Sequence, residues 1–222
     1  MPLRGVPGAA SAARPEAAPG SDKLTAPAAA RNTPAIRDLL LRVAPERGHA
    51  LELASGTGQH AVACASCMPN LIWQPSELDP SRLASIQAYV SEAGLDNLRA
   101  PIEVDAAAPG WSALHSGQNL IVLINLLHLI SGSEAQVLVR EAAAALAPGG
   151  RFVLYGPFLR AGKLTSPGDR AFHATLSAHD PKIGYKDDRA VETWLAAAGL
   201  QVVEVAEMPA NNLAFIAEKP VG

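Results

Sequence analysis

Residues 51–58 read Leu51-Glu52-Leu53-Ala54-Ser55-Gly56-Thr57-Gly58, and residues 59–68 behind them have the length and composition of a helix. This is a short buried strand, Ala50–Ala54, entering a glycine turn and then a helix. Gly56 and Gly58 let the backbone turn tightly and let a ligand approach where a Cβ would obstruct it. The helix that follows offers unpaired N–H groups and the positive end of its dipole. A nucleotide-type ligand therefore fits just beyond the carboxyl end of the strand, where open α/β sheets bind their ligands.

A second strand, Leu71–Ser76, leads to Glu77, 25 residues after Glu52. A carboxylate there can accept hydrogen bonds from both hydroxyls of a ribose. Asp79-Pro80 is a cap followed by a proline at the first helical position. It opens a helix with Leu83, Ile86 and Val90 on one face, ended by Gly94. Arg99–Val104 is the third strand, and Asp105 behind it is placed either to meet an adenine amino group or to form a turn. Asn119–Ile124 is the fourth strand, followed by Asn125 and His128. Ser133 and Gln136 have capping-box spacing for a helix to Leu146, stopped at Pro148-Gly149-Gly150. Arg151–Gly156 is the fifth strand. A helix with Val191, Trp194, Leu195 and Ala198 ends at Gly199, and Gln201–Ala206 and Leu213–Glu218 close the chain as a hairpin.

Upstream, Asn32 or Thr33 caps a helix with Pro34 in its first turn and Ile36, Leu39, Leu40 and Val43 in the i, i+3, i+4, i+7 stripe. Residues 1–30 stand apart. Eighteen of the thirty are Ala, Pro or Gly, with no hydrophobic periodicity, so they read as a flexible tail before a single domain over 31–222. They hold no apolar run of a secretory signal. Strands alternating with helices imply an α/β fold, a mostly parallel sheet covered on both faces, with the terminal hairpin adding an antiparallel strand at a mixed edge.

Composition narrows the function. Hydrophobic residues make up 49% and charged residues 18%, against roughly 25% charged in an average globular protein, so the chain can bury a sizeable core. Eighteen Lys and Arg against 21 Asp and Glu leave a net charge of −3, without the basic excess of a nucleic-acid binder. The longest apolar run, Leu120–Ile130, is interrupted by Asn125 and His128 and is too short for a membrane span. Two cysteines build no disulfide framework, which fits a reducing, cytoplasmic setting. Cys64-Ala65-Ser66-Cys67 lies inside a helix with no second pair to complete four metal ligands, so both read as small buried hydrophobes. A small-molecule partner is expected, with the oligomeric state open.

Two cofactors share this strand–glycine–acid logic. Gly56, Gly58 and Ala61 satisfy the dinucleotide fingerprint, with Glu77 at about the right distance for NAD. By analogy with known folds, the acid Glu52 inside the first strand and the closing hairpin fit S-adenosylmethionine better.

The chain resembles the class I S-adenosylmethionine-dependent methyltransferases. More narrowly, it is similar to the methyltransferase-like protein twenty-six family. The residues that carry the resemblance are Arg31-Asn32, Leu51–Ala61, Trp73–Pro80, Leu154–Phe158 and Glu207–Asn212. It implies a Rossmann-like fold with a seven-stranded sheet and methyl transfer to a small-molecule acceptor. Carried over, Glu52, Ala54, Gly56 and Gly58 form the methionine-end loop, Glu77 holds the ribose and Asp105 the adenine, and Asn125 lies beside the sulfonium. Arg31, Ser55, His60 and Leu78 complete the implied cofactor set. Ala54 stands where the broad class has its first glycine, and Glu77 where an Asp is expected. Pro167–Phe172 and Ile183 depart from the family pattern in the expected substrate lid. Three functions follow: a methyltransferase, a non-catalytic protein of the same fold that binds cofactor or partner, and an NAD-dependent oxidoreductase. In-line displacement draws most of its rate from alignment, and an acceptor that must lose a proton also needs a base. His128 is the candidate base, with Tyr155 and His173 as weaker candidates for lining the acceptor site. Asn125-Leu126-Leu127-His128 is unlike the Asn-Pro-Pro-Tyr of enzymes that methylate planar amide or adenine nitrogens.

Overall fold

A computed structural model of the chain describes residues 16–17 and 22–221. Glu16–Ala17 (β1) and Leu24–Thr25 (β2) form a small antiparallel pair ahead of the domain. The main sheet contains Gly48–Leu53 (β3), Leu71–Glu77 (β4), Ile102–Glu103 (β5), Gln118–Ile124 (β6), Leu146–Leu159 (β7), Lys186–Asp187 (β8), Gln201–Met208 (β9) and Asn212–Glu218 (β10). Its order is β5-β4-β3-β6-β7-β10-β9, with β8 pairing β7. The chain goes outward from β3 in one direction through β4 and β5, then returns to the other side of β3 with β6. The β3–β6 junction is therefore the topological switch point, where ligand crevices form.

All the pairings of β3 to β8 are parallel, and β10 runs antiparallel to both β7 and β9. The expected antiparallel strand is thus present but lies inside the sheet, with β9 at the edge. Side chains explain the swap. Leu213 to Ala217 of β10 are all buried and need cover on both faces, whereas β9 alternates exposed residues, Gln201, Val203, Val205 and Glu207, with half-buried ones and tolerates an open side.

The helices Pro27–Val43 (α1), Gln59–Cys67 (α2) and Pro80–Ala93 (α3) lie on one face. Ile36, Leu39 and Leu40 of α1 and Ala61, Cys64 and Ala65 of α2 pack there on Ala50, Trp73, Val122 and Val153. Gly132–Ala145 (α4) and Asp188–Ala197 (α6) cover the other face, where Leu138, Val139, Val191 and Leu195 meet Leu51, Leu53, Ile121 and Phe152. Pro167–His179 (α5) stands over the carboxyl end of β7 with a small core of its own, Leu176, Ile183 and Tyr185 against Leu129, Leu159 and Phe172.

Several expectations are corrected here. The first helix begins at Pro27, not near Asn32, so Pro34 is internal and cannot donate to the Ala30 carbonyl. Two prolines suit a first helical turn, and the strong helix formers Ala28–Ala30 favour the earlier one. Part of the expected tail, residues 22–30, therefore belongs to β2 and α1, while residues 1–15 and 18–21 lie outside the described residues. The third strand is only Ile102–Glu103, and β7 runs well past Gly156. Asp79 caps α3 as expected, accepting from the amides of Ser81 and Arg82, and Gly94 ends it in the left-handed conformation.

The capping box of α4 is Ser131 with Glu134, not Ser133 with Gln136: Ser131 Oγ accepts from the Glu134 amide at 3.2 Å and Glu134 Oε2 accepts from the Ser131 amide at 2.7 Å. The two overlapping patterns are separated by one substitution each. Ser131→Ala should lower stability by about 1 kcal/mol and Ser133→Ala by much less, as read by urea denaturation at pH 7.

Candidate functional site

At the carboxyl ends of β3 and β6 the backbone itself is unusual. Ala54, just past β3, and Asn125, just past β6, are both non-glycine residues in the left-handed region, at φ 50° and 59°. Strained backbone of this kind persists only where its surroundings hold it, and it gathers at binding sites. These residues flank the switch point, where this order of strands opens a crevice.

The glycine loop is tied to β4 by a knot of buried hydrogen bonds. The Ser55 amide donates to the Ser76 carbonyl at 2.8 Å, and the Ser76 amide donates to Ser55 Oγ at 3.1 Å. Both hydroxyls, Ser55 at 3.2 Å and Ser76 at 2.8 Å, donate to the Glu52 carbonyl. Gly58, at φ 95°, packs so close to α3 that a Cβ would come 3.0 Å from the Ile86 Cα. Gly56, at φ 61°, has open space where its Cβ would be. One glycine therefore serves packing and the other leaves room.

Glu77 is almost wholly buried at the end of β4. Its Oε2 accepts from the Gly56 amide at 2.9 Å, and its Oε1 accepts from the amides of Leu78 at 2.8 Å and Asp79 at 3.3 Å. Arg82 stands 3.8 Å away. A carboxylate offers about four acceptor positions, so Glu77 holds the loop and keeps capacity for one more donor. Asp105 accepts from the Ala107 amide at 3.0 Å, so the turn-forming reading is realised there.

Glu52 points to the α1–α2 face. Its Oε2 accepts from the Trp73 indole at 2.8 Å, and its Oε1 is buried without a partner. Burial pushes the carboxyl up to about 7; the indole bond opposes the shift and the nearby Glu77 adds to it. An orphaned buried oxygen next to the glycine loop is suited to a donor from outside the chain. On the same face His60 Nε2 lies 2.8 Å from Asn32 Oδ1, and burial holds that imidazole near 4 and uncharged. The Tyr155 hydroxyl faces the side chains of Asn32 and Asn212, forms no hydrogen bond of normal geometry, and is kept protonated by burial. Arg31 is exposed on α1.

His128, the candidate base, is packed among aromatic rings. It lies in a single 3-10 turn, Leu127–Leu129, with its ring centroid 5.5 Å from Phe172 and 6.3 Å from Tyr185. Its carbonyl accepts from the Gly184 amide at 3.0 Å. Burial, helped by the Lys186 ammonium, depresses its pKa to about 3. A base works best with a pKa near the working pH, and these surroundings are those of a histidine packed under α5. His173 accepts from the Tyr185 amide at 3.0 Å, also inside that small core.

Sequence reasoning missed Asp169. Its carboxylate accepts from Thr165 and Ser166 hydroxyls, the Tyr185 hydroxyl and the Asn211 amide, tying the start of α5 to the β9–β10 turn. The signal was present in Ser166-Pro167-Gly168-Asp169, a capping pattern with proline at the first helical position. Both cysteines are free thiols whose pKa burial raises, in keeping with a packing role. Among the described residues no cluster of His, Cys, Asp or Glu could hold a metal ion, and no helix is long and apolar enough to cross a membrane.

A family model described as a protein of unknown function (DUF938) matches residues 23–219. Among solved structures, the chain is similar to a proposed O-methyltransferase from Nostoc punctiforme, with 20% identity and a TM-score of 0.76 over 89% of this chain and 58% of that one. It is similar to the S-adenosylmethionine-dependent methyltransferase SibL in its apo form, with 22% identity and a TM-score of 0.71 over 86% and 55%. An O-methyltransferase family 2 protein from Planctomyces limnophilus, solved with apigenin, gives 22% identity and a TM-score of 0.72 over 86% and 58%. The fold is thus that of the Rossmann-like class I methyltransferases. The chain spans less than two thirds of the length of each of these three proteins.

The raised carboxyl of Glu52 has a consequence for stability. Between 4.5 and about 7 the folded protein keeps a proton on Glu52 that the unfolded chain releases. That contribution is complete below pH 4.5 and lost as pH rises through 7, on the order of 3 kcal/mol in all. Buried, neutral His60 and His128 add stability over the same range in both proteins, so the test is a difference: from pH 5 to pH 8 urea denaturation should show the native protein losing about that amount relative to Glu52→Gln.

Proposed function

The chain belongs to the DUF938 family, whose description names no activity, and from its site we propose that it binds S-adenosylmethionine and transfers the methyl group to a small-molecule acceptor. The observation that carries this reading is the buried Glu77 carboxylate bonded to the Gly56 amide beside the switch point, with open space above Gly56. That arrangement suits a ribose on the carboxylate and an amino-acid end along the glycine loop. The orphaned Glu52 oxygen fits the ammonium of that amino-acid end. The similarity to methyltransferase structures and the resemblance to the methyltransferase-like protein twenty-six family support the same reading.

When bound, S-adenosylmethionine supplies an electrophilic methyl group on a sulfonium. The residues around it have three tasks in this proposal. Glu77 orients the nucleoside end, and the loop from Ala54 to Gly58 orients the other. Asn125, whose backbone amide donates to the Tyr155 carbonyl at 2.9 Å, borders the place where acceptor and methyl must align. Rate then comes chiefly from alignment and exclusion of water. With His128 packed and Tyr155 held protonated, the reading favours an acceptor that reaches the site already ionised or loses its proton to water.

Calorimetric titration with S-adenosylmethionine, with NAD as the comparison, tests this. One-site binding of the sulfonium compound alone supports the proposal. Binding of NAD alone, or of neither compound, refutes it. Glu77→Gln keeps the side-chain shape and one acceptor oxygen, so it should fold and bind S-adenosylmethionine about tenfold more weakly. Glu77→Ala would also strip the acceptor from three backbone amides and should cost about 1–3 kcal/mol of stability.

A further inference from the structure

The segment just before α1 is bonded to the glycine loop through two side chains. Ser85, fully buried in α3, accepts from the Leu24 amide at 2.8 Å and donates to the Thr57 carbonyl at 2.8 Å. Gln59 Oε1, at the start of α2, accepts from the Ala26 amide at 2.7 Å and from the Thr57 hydroxyl at 2.9 Å. Both relays converge on Thr57, the residue between the two glycines. Lys23 adds an anchor on α3, with its ammonium 2.7 Å from Glu92 and 4.4 Å from the centre of the Tyr89 ring.

The geometry matters because the loop is made of peptides that could otherwise turn. The peptide joining Thr57 to Gly58 is held at both ends: its carbonyl by Ser85, and its amide by the Ser55 carbonyl at 3.1 Å. Gly56 and Gly58 are left-handed glycines with wide conformational freedom, so these bonds select one orientation. A hydroxyl that accepts on one side and donates on the other fixes both neighbours together.

We propose that Ser85 and Gln59 are positioning residues of the cofactor site, and that the segment Lys23–Ala26 is a strap coupled through them to the glycine loop. The inference rests on the reading of that loop as the S-adenosylmethionine cradle. Coupling is reciprocal: a strap that holds the loop ready for its ligand is itself held more firmly once the ligand binds.

The experiment uses the full chain and two readouts. S-adenosylmethionine is titrated by calorimetry into the native protein, Ser85→Ala, Gln59→Ala and the double variant. Hydrogen exchange at the Leu24 and Ala26 amides is then followed with and without it. Each single variant should bind about fivefold more weakly, and the double variant should lose less than the product, since both relays act on Thr57. In the native protein both amides should exchange more slowly when S-adenosylmethionine is present. Gln59 is half-buried at a helix start, so its variant keeps the test sound if Ser85→Ala fails to fold. Native affinity in Gln59→Ala, or exchange at Leu24 and Ala26 indifferent to S-adenosylmethionine, would overturn the strap. A native protein that binds no S-adenosylmethionine overturns instead the reading on which the strap rests.

Discussion

The hydrogen bond from the Gly56 amide to the Glu77 carboxylate joins the glycine loop after β3 to the end of β4, beside the crevice, and much of the site is arranged around it. Glu77 can reach Gly56 only because Ser55 and Ser76 bring the loop and β4 into register through their mutual backbone and hydroxyl bonds. Those hydroxyls in turn need the Glu52 carbonyl as a common acceptor. Each is a buried polar group, and a buried polar group left without a partner costs far more than a satisfied one contributes. The knot is therefore cooperative in sense: removing one member leaves several others unsatisfied, which favours a single loop conformation.

Burial also acts on the ionisable groups of the interior. Glu52, His60 and His128 are all buried, and burial moves each toward its neutral form, to about 7, 4 and 3. Glu77, equally buried, accepts from three backbone amides, with Arg82 3.8 Å away. Two acids 25 residues apart in sequence and on adjacent strands thus end in opposite environments. The interior therefore holds one carboxylate supplied with donors at the crevice, and one poised close to neutrality on the α1–α2 side.

What was legible in the sequence is what local chemistry determines. Asp79-Pro80 predicts a cap because the carboxylate bonds amides two and three residues on, and it does so here. The glycine turn and the alternation of strands and helices are legible for the same reason, whereas the bond of Glu77 to Gly56, 21 residues away, is not. Where two local signals compete, local chemistry does not choose. Pro27 or Pro34 could open α1, and Ser131 or Ser133 could cap α4, and the choice depends on which residues the sheet buries. Ala29 is buried with Ile36, so the helix extends back to Pro27. His128 shows a finer limit. It is three residues past Asn125, and the phase of a single 3-10 turn decides whether the ring meets the crevice or Phe172. The relays through Ser85 and Gln59 were invisible, since they join residues 61 and 33 positions apart that only the folded sheet brings together.

Ala54 tests how firmly the surroundings hold the site. A left-handed alanine costs roughly 1–2 kcal/mol against a helical or extended one, and glycine at that position would avoid most of it. Glycine would also restore freedom to a loop that already has Gly56 and Gly58, at an entropic cost of similar size to the strain relieved. An alanine at φ 50° thus narrows the unfolded ensemble while the Ser55–Ser76 bonds hold the folded one. Asn125 makes the matching case on β6, where a short amide side chain tolerates φ 59° and the Tyr155 carbonyl fixes the amide. Both walls of the crevice are therefore set by backbone geometry that neighbouring strands enforce, so a ligand entering there meets a surface already in place rather than one it must order.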